Sequence, residues 1–384
     1  MKNIDTNIIA IGWVSFFTDM ASAMVTTLLP IFVVYVLDES VEKLGYIIAI
    51  ATFVSYALRI VFGYLSDRYD VVKPFVVGGY LISAVTKPLL AYSHSYGSVA
   101  LLRSVERMGK AVRAASKDAL ISAYSHKTQE GKSFGFHKMM DVSGEMMGSL
   151  IIVIVFFFSA MQSETLIRGI FAWTLLPGLL GVFIVMFFVK DAPKKEKSSA
   201  VVVNKADYKL FWILGSYFFF LFFFMSDQYF ILRAKNLGMT LYEIPLLVIA
   251  STLTQTLLSY YSGTLIDKIG SKFMLCIAYA FGIASILALG ADLLWLAFVF
   301  LGVFTVVSLN ALRVYISKNA ISKAFVYGIL YGGVAIFSAL GALVVGEIWH
   351  IYSFHEVLLF SLSGTVAVAL LLFFSAWQSF VKMR

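Results

Sequence analysis

Long apolar stretches alternate with short polar breaks from one end of the 384-residue chain to the other. A helix rises about 1.5 Å per residue, so roughly twenty apolar residues carry it across the hydrocarbon of a bilayer. Twelve stretches reach that length, at about 7–37, 44–66, 74–94, 96–120, 133–160, 167–189, 209–234, 242–266, 272–291, 293–315, 324–348 and 355–380. The pattern predicts an all-α membrane protein with twelve transmembrane helices. The first stretch exceeds one crossing and is expected to tilt or to run beyond the lipid. The residues ahead of it, Met1 to Thr6, are few and polar, and no compact apolar region ends in a small-residue cleavage site. That first stretch is therefore read as a retained span rather than a signal peptide.

Composition agrees: 60% of residues are hydrophobic and 14% charged, against about 25% charged in soluble domains. The net charge of +8 is no nucleic-acid signature, because the cations gather in short loops. Loops after even-numbered spans hold Arg68 and Lys73, Lys127 and Lys132, Lys190 to Lys205, Lys268 and Lys272, and Lys318 and Lys323. Those after odd-numbered spans hold only Lys43, Arg168 and Lys235. Cytoplasmic loops carry the excess of Lys and Arg, so both termini are expected in the cytoplasm. Residues 191–208 form a polar, Lys-rich linker that divides a six-span bundle at 1–190 from another at 209–384. The single cysteine, Cys276, excludes an internal disulfide.

The two halves echo each other. Gly63-Tyr64-Leu65-Ser66-Asp67-Arg68 closes the second stretch, and Gly263-Thr264-Leu265-Ile266-Asp267-Lys268 closes the eighth. Gly135 and Gly148 in the fifth stretch are matched by Gly328 and Gly341 in the eleventh. Internal repeats of this kind underlie many transporter folds.

On these residues the chain resembles the major facilitator superfamily. That family's loop pattern is Gly-x-Leu-x-Asp-Arg-x-Gly-Arg-Lys. The first copy matches at Gly63, Leu65, Asp67 and Arg68 and departs from it at Asp70, Val71 and Val72. The second matches at Gly263, Leu265, Asp267, Lys268, Gly270 and Lys272. The fourth span resembles Arg-x-x-Gln-Gly-x-Gly, found in proton-coupled members, through Arg103 and Gly109, with Glu106 and Arg107 in place of Gln and Gly. Of the fifth-span antiporter pattern Gly-x-x-x-Gly-Pro the chain keeps Gly144 and Gly148, with Ser149 in place of proline. Asp19 ahead of Pro30 is similar to the first helices of drug exporters. The resemblance implies two pseudo-symmetric six-helix bundles, alternating access, and a gating role for Gly63, Asp67, Arg68, Gly263, Asp267 and Lys268. It points to bacterial proton-coupled exporters of drugs or metabolites and to the inner membrane.

An ionisable side chain at mid-bilayer costs roughly 2.5–3.5 kcal/mol on insertion scales, so each needs a partner, water or a role. The first half holds Asp19, Arg59, Arg103, Glu106, Arg107, Lys110, His137, Lys138, Asp141 and Glu145; the second holds chiefly Asp227, Arg313 and Glu347. Asp141 and Glu145, four apart, share a helix face with His137. At the positions equivalent to them stand Val334 and Ser338, so the halves share a scaffold but not a chemistry. The candidate substrate and proton-coupling residues are Asp19, Arg103, Glu106, Arg107, Asp141, Glu145 and Asp227. Static ion pairs that only satisfy buried charge would leave the same list.

No Gly-Lys-Ser/Thr phosphate loop, HExxH or paired CxxC occurs, so no cofactor, metal site, ATP-driven step or enzymatic activity is expected. The reading is a monomeric secondary transporter of a small molecule, with protons and the bilayer as its other partners. Export of an amphipathic or metabolite-like solute, including a siderophore, is favoured. Import of a small anionic metabolite or metal chelate is the alternative.

Overall fold

The structure, a computed structural model, describes residues 5–69, 72–125, 130–159, 163–191, 205–321 and 323–381. Among these, twelve membrane-length helices follow one another. They are α1 Thr6–Val36, α3 Lys73–Tyr92, α6 Glu164–Phe188 and α7 Asp207–Asn236, with α2 Val41–Tyr69, α4 Tyr96–Tyr124, α5 Glu130–Phe158 and α8 Ile244–Ile269. The chain closes with α9 Ser271–Gly290, α10 Leu294–Asn319, α11 Lys323–Ile351 and α12 Phe354–Val381. The expected number of spans is found, each within a few residues of its apolar stretch.

Three helices are interrupted where the local sequence releases backbone bonds. In α1 the break falls at Thr27 and Leu28, just before Pro30, which has no N–H to continue the ladder. At about 46 Å for 31 residues, α1 is longer than the roughly 30 Å hydrocarbon, and the break divides that excess. In α6 the break is at Thr174, whose hydroxyl donates to the Phe171 carbonyl at 2.6 Å. In α7 residues Phe224–Ser226 leave the helix, and Ser226 caps the segment Asp227–Asn236 that resumes it. Between α8 and α9 the chain reverses through Gly270 at φ +89°, a conformation that costs glycine little. The corresponding Asp70 lies outside the described residues.

The chain divides into two compact units. One comprises Met1–Glu39, Ile50–Ser199 and Thr240–Leu246; the other comprises Ser40–Ala49, Ala200–Met239 and Leu247–Arg384. In lipid no hydrophobic force draws helices together, so small residues that permit close backbone approach set the packing. In the first unit Gly144 and Gly148 of α5 lie against the Phe16 and Met20 carbonyls of α1. A Cβ on Gly79 of α3 would stand 2.6 Å from the Gly109 carbonyl oxygen of α4. Behind these seams Ile11 and Val14, Val76 and Tyr80, Leu120 and Ile121, and Val182 and Val185 form one core from α1, α3, α4 and α6.

The second unit repeats the device. Gly341 of α11 lies against the Phe222 carbonyl of α7, the counterpart of Gly148 against Met20, and a Cβ on Gly302 of α10 would meet the Ser251 carbonyl oxygen of α8 at 2.5 Å. Its interior is aromatic. Phe220 stacks on Tyr279 at 4.1 Å, and Phe224 meets Phe304 at 4.5 Å. The Tyr229 hydroxyl donates to the Ala342 carbonyl at 2.7 Å. The phenylalanine run of α7 is thus divided, with Phe218, Phe220 and Phe224 buried and Phe219 exposed.

Gly148→Ala is expected to destabilise by about 1–3 kcal/mol, because the added methyl forces α1 and α5 apart. Gly215→Ala, where a Cβ meets nothing within 4 Å, is expected to be neutral or stabilising by up to about 1 kcal/mol. Thermal unfolding of the two purified variants in detergent checks both.

Candidate functional site

Helix α4 carries a stripe of buried charge. Ser95 caps its N-terminus by accepting from the Ser98 N–H, and polar residues then recur at helical spacing as Arg103, Glu106, Arg107, Lys110, Arg113 and Lys117. The stripe faces inward: Arg103 is 3% exposed, Glu106 1% and Arg113 6%. Arg103 Nη1 donates to Glu106 Oε2 at 2.8 Å, and Arg107 Nε stands 3.4 Å from the same oxygen. One buried carboxylate thus holds two guanidinium groups.

Arg113 is committed to packing. It donates to Ser83 Oγ at 2.8 Å and to the Gly79 carbonyl at 3.3 Å, and its guanidinium lies 4.5 Å over the Tyr80 ring. Ser83 in turn donates to the Glu106 backbone carbonyl at 3.3 Å. The close α3–α4 approach at Gly79 and Gly109 is what brings these groups within reach.

Lys87 of α3 extends the group and is absent from the sequence candidates. It is fully buried, and its Nζ donates to the Thr18 carbonyl of α1 at 3.2 Å. Ser22 Oγ donates to the same carbonyl at 2.9 Å. The carboxylates whose charge acts on Lys87 are Glu106 and Asp19. A lysine well inside the stretch 74–94 is the signal that would have found it.

A second cluster joins α1, α3 and α5. Ser15 Oγ lies 2.7 Å from His137 Nε2 and 3.4 Å from the Tyr80 hydroxyl. Asp141 Oδ1 lies 3.5 Å from His137 Nδ1 and, among the described residues, makes no hydrogen bond. Asp19 and Glu145 are half-buried. The charges acting on Glu145 are those of Lys138, Asp19, Lys110 and Asp141. The first unit therefore gathers Asp19, Arg103, Glu106, Arg107, Asp141 and Glu145 on α1, α4 and α5, with Glu106 already saturated and the other three carboxylates less enclosed.

Asp227 is differently placed. It lies in the second unit, exposed in the first turn after the break in α7, and accepts from Ser226 Oγ at 2.9 Å. Of the motif residues, Gly63, Asp67 and Arg68 fall on the last turns of α2, and Gly263, Asp267 and Lys268 on those of α8. Lys268 is exposed; the side chains of Asp67, Arg68 and Asp267 lie outside the described residues. Within the first motif and just before the second, a polar contact ties the helix to the one two spans later. Ser116 of α4 donates to Ser66 of α2 at 2.9 Å, and Asn310 Nδ2 of α10 donates to Ser262 of α8 at 2.9 Å. Among the described residues no group of three His, Cys, Asp or Glu side chains is arranged to hold a metal.

Twelve helices with a cluster of buried charge in the first unit have the build of a polytopic membrane transporter. The chain belongs to the Major Facilitator Superfamily, whose family model matches residues 11–330. It is 30% identical to an uncharacterized MFS-type transporter of Methanocaldococcus jannaschii, over 97% of this chain and 96% of that one. A multidrug resistance protein, MdtH of Aeromonas hydrophila, is 26% identical over 42% of this chain and 40% of its own. Among solved structures, a mutant of the nucleoside transporter NupG superposes with a TM-score of 0.81 at 13% identity, covering 95% of this chain and 98% of that one. The protein is a multi-pass secondary transporter of a small solute rather than an enzyme.

Removing one partner of a buried ion pair leaves the other charge uncompensated, at about 3–5 kcal/mol. Glu106→Gln, which strands Arg103 and Arg107, is expected to lose that much. Asp227→Asn, at an exposed site, is expected to stay within about 0.5 kcal/mol of the parent. Thermal unfolding midpoints in detergent distinguish the two.

Proposed function

We propose that the protein is a proton-coupled exporter in the cytoplasmic membrane, with both termini cytoplasmic, carrying an amphipathic or metabolite-like solute. The observation that carries the coupling is the set of half-buried carboxylates Asp19, Asp141 and Glu145 beside the cationic face of α4. Taking up a proton at Glu145 removes a negative charge from the neighbourhood of Lys138 and Lys110. Releasing it restores the attraction between α5 and α4. A switch of this kind biases alternating access, because the two protonation states favour different helix arrangements.

The Asp67–Arg68 and Asp267–Lys268 pairs, at the inner ends of α2 and α8, act as gate elements in this reading. Export is favoured by Asp19 ahead of Pro30 and by the partial likeness to a multidrug resistance protein. Import of a small anion or metal chelate is the second reading. It is favoured by residues 103–117 of α4, where five cations face one carboxylate, Glu106.

Proteoliposomes under an imposed pH gradient, screened over a panel of metabolites and drugs, test the coupling. Saturable, gradient-dependent flux is expected, with Glu145→Gln and Asp19→Asn each lowering it at least about tenfold, as a lost proton-transfer group does. Flux that ignores the gradient, or variants that keep full gradient-driven flux, would overturn the assignment.

A further inference from the structure

A cleft of about 590 Å³ lies within the first unit, between α1, α5 and α6. Its depth is apolar, formed by Met20, Ile151, Val155 and Ile170. One end carries the hydroxyls of Ser159, Ser163 and Thr165, where α5 stops and α6 starts. Among the described lining residues none is charged. Gly169 borders this space, and a Cβ there would meet nothing within 4 Å. The side is open at Trp173 and Leu176, which are 68% and 57% exposed.

The dimensions and the chemistry point to one occupant. From Ser159 to Ile151 the cleft runs about 12 Å along α5, and from Ser163 to Pro177 about 21 Å along α6, at about 1.5 Å per residue. One leaflet of hydrocarbon is about 15 Å thick. A hydroxyl-lined end at the helix termini and an apolar depth of one leaflet match a lipid chain with its ester region at the surface. Water has no set of polar partners in the depth of such a space, and an apolar cavity stays dry unless an apolar ligand fills it.

We propose that this cleft binds one acyl chain of a membrane phospholipid, its ester end against Ser159, Ser163 and Thr165. The lipid is a resident partner distinct from the transported solute, and its chain passes over Gly169 between α5 and α6.

Native mass spectrometry of the full-length protein in mild detergent tests this. The parent is expected to retain about one phospholipid per chain, and Gly169→Leu, whose side chain enters open space, to lose at least about five-sixths of that retention at an unchanged thermal midpoint. Equal retention in both proteins, or none in the parent, overturns the proposal. A second measurement needs no variant at Gly169. With Trp173 or Trp212 as the single tryptophan, nanodiscs containing phosphatidylcholine brominated on its acyl chains report the local lipid. Trp173 is expected to reach half-maximal quenching at a brominated fraction at least about threefold lower than Trp212, which is also exposed. Identical quenching curves, or quenching of Trp173 abolished by an apolar solute of the transport panel, contradict a resident lipid.

Discussion

A charge enclosed by hydrocarbon has to be matched inside the protein, and Glu106 is where this chain does so. Its carboxylate receives Arg103 and stands beside Arg107, while its backbone carbonyl receives Ser83, which also receives Arg113. Lys87 adds a third helix through the Thr18 carbonyl. Because these partners sit on α1, α3 and α4, the packing of those helices and the compensation of charge are one problem. The seam at Gly79 and Gly109 brings the α3 and α4 backbones close enough for Ser83 and Arg113 to meet. A bulkier residue in either place would part the network as well as the helices.

The duplicated chain repeats its packing in both halves and clusters buried cations and carboxylates in the first. Gly148 against Met20 and Gly341 against Phe222 are the same contact made twice, and each motif region also has a polar tie, at different positions. Where the first unit has Asp141 and Glu145, the second has Val334 and Ser338, and its interior is filled by Phe220, Tyr279, Phe224 and Phe304. An aromatic interior needs no charge compensation and packs as one layer. The charged interior of the first unit has carboxylates with incomplete partners, of which Asp141 is the clearest. Incomplete compensation is costly in a static core and useful in one that changes its protonation.

Most of the twelve helices are legible as long apolar runs, and α4, charged from Arg103 to Lys117, by its place between two clear spans. The small-residue seams were legible as spacing, four residues between Gly144 and Gly148, although spacing names no partner. Contacts between distant segments were not legible. Ser15 meets His137 across 122 positions, and no local period encodes that. Lys87 is visible as a lysine inside an apolar stretch, but its Thr18 partner is not, and the break in α7 is masked by a run of phenylalanines that suits an unbroken helix. Asp227 is a candidate by its place in the seventh stretch, and the helix restart at Ser226, which leaves its carboxylate exposed, has no sequence signal beyond that serine.

In the proposed cycle a carboxylate of the first unit, with Glu145 foremost, changes protonation. Infrared difference spectroscopy of the reconstituted protein between acidic and alkaline pH observes that event without knowledge of the solute. A protonated-carboxyl band is expected that titrates reversibly in the parent and disappears in Glu145→Gln. A spectrum with no titrating carboxyl, or one unchanged by Glu145→Gln, Asp19→Asn and Asp141→Asn alike, would contradict it.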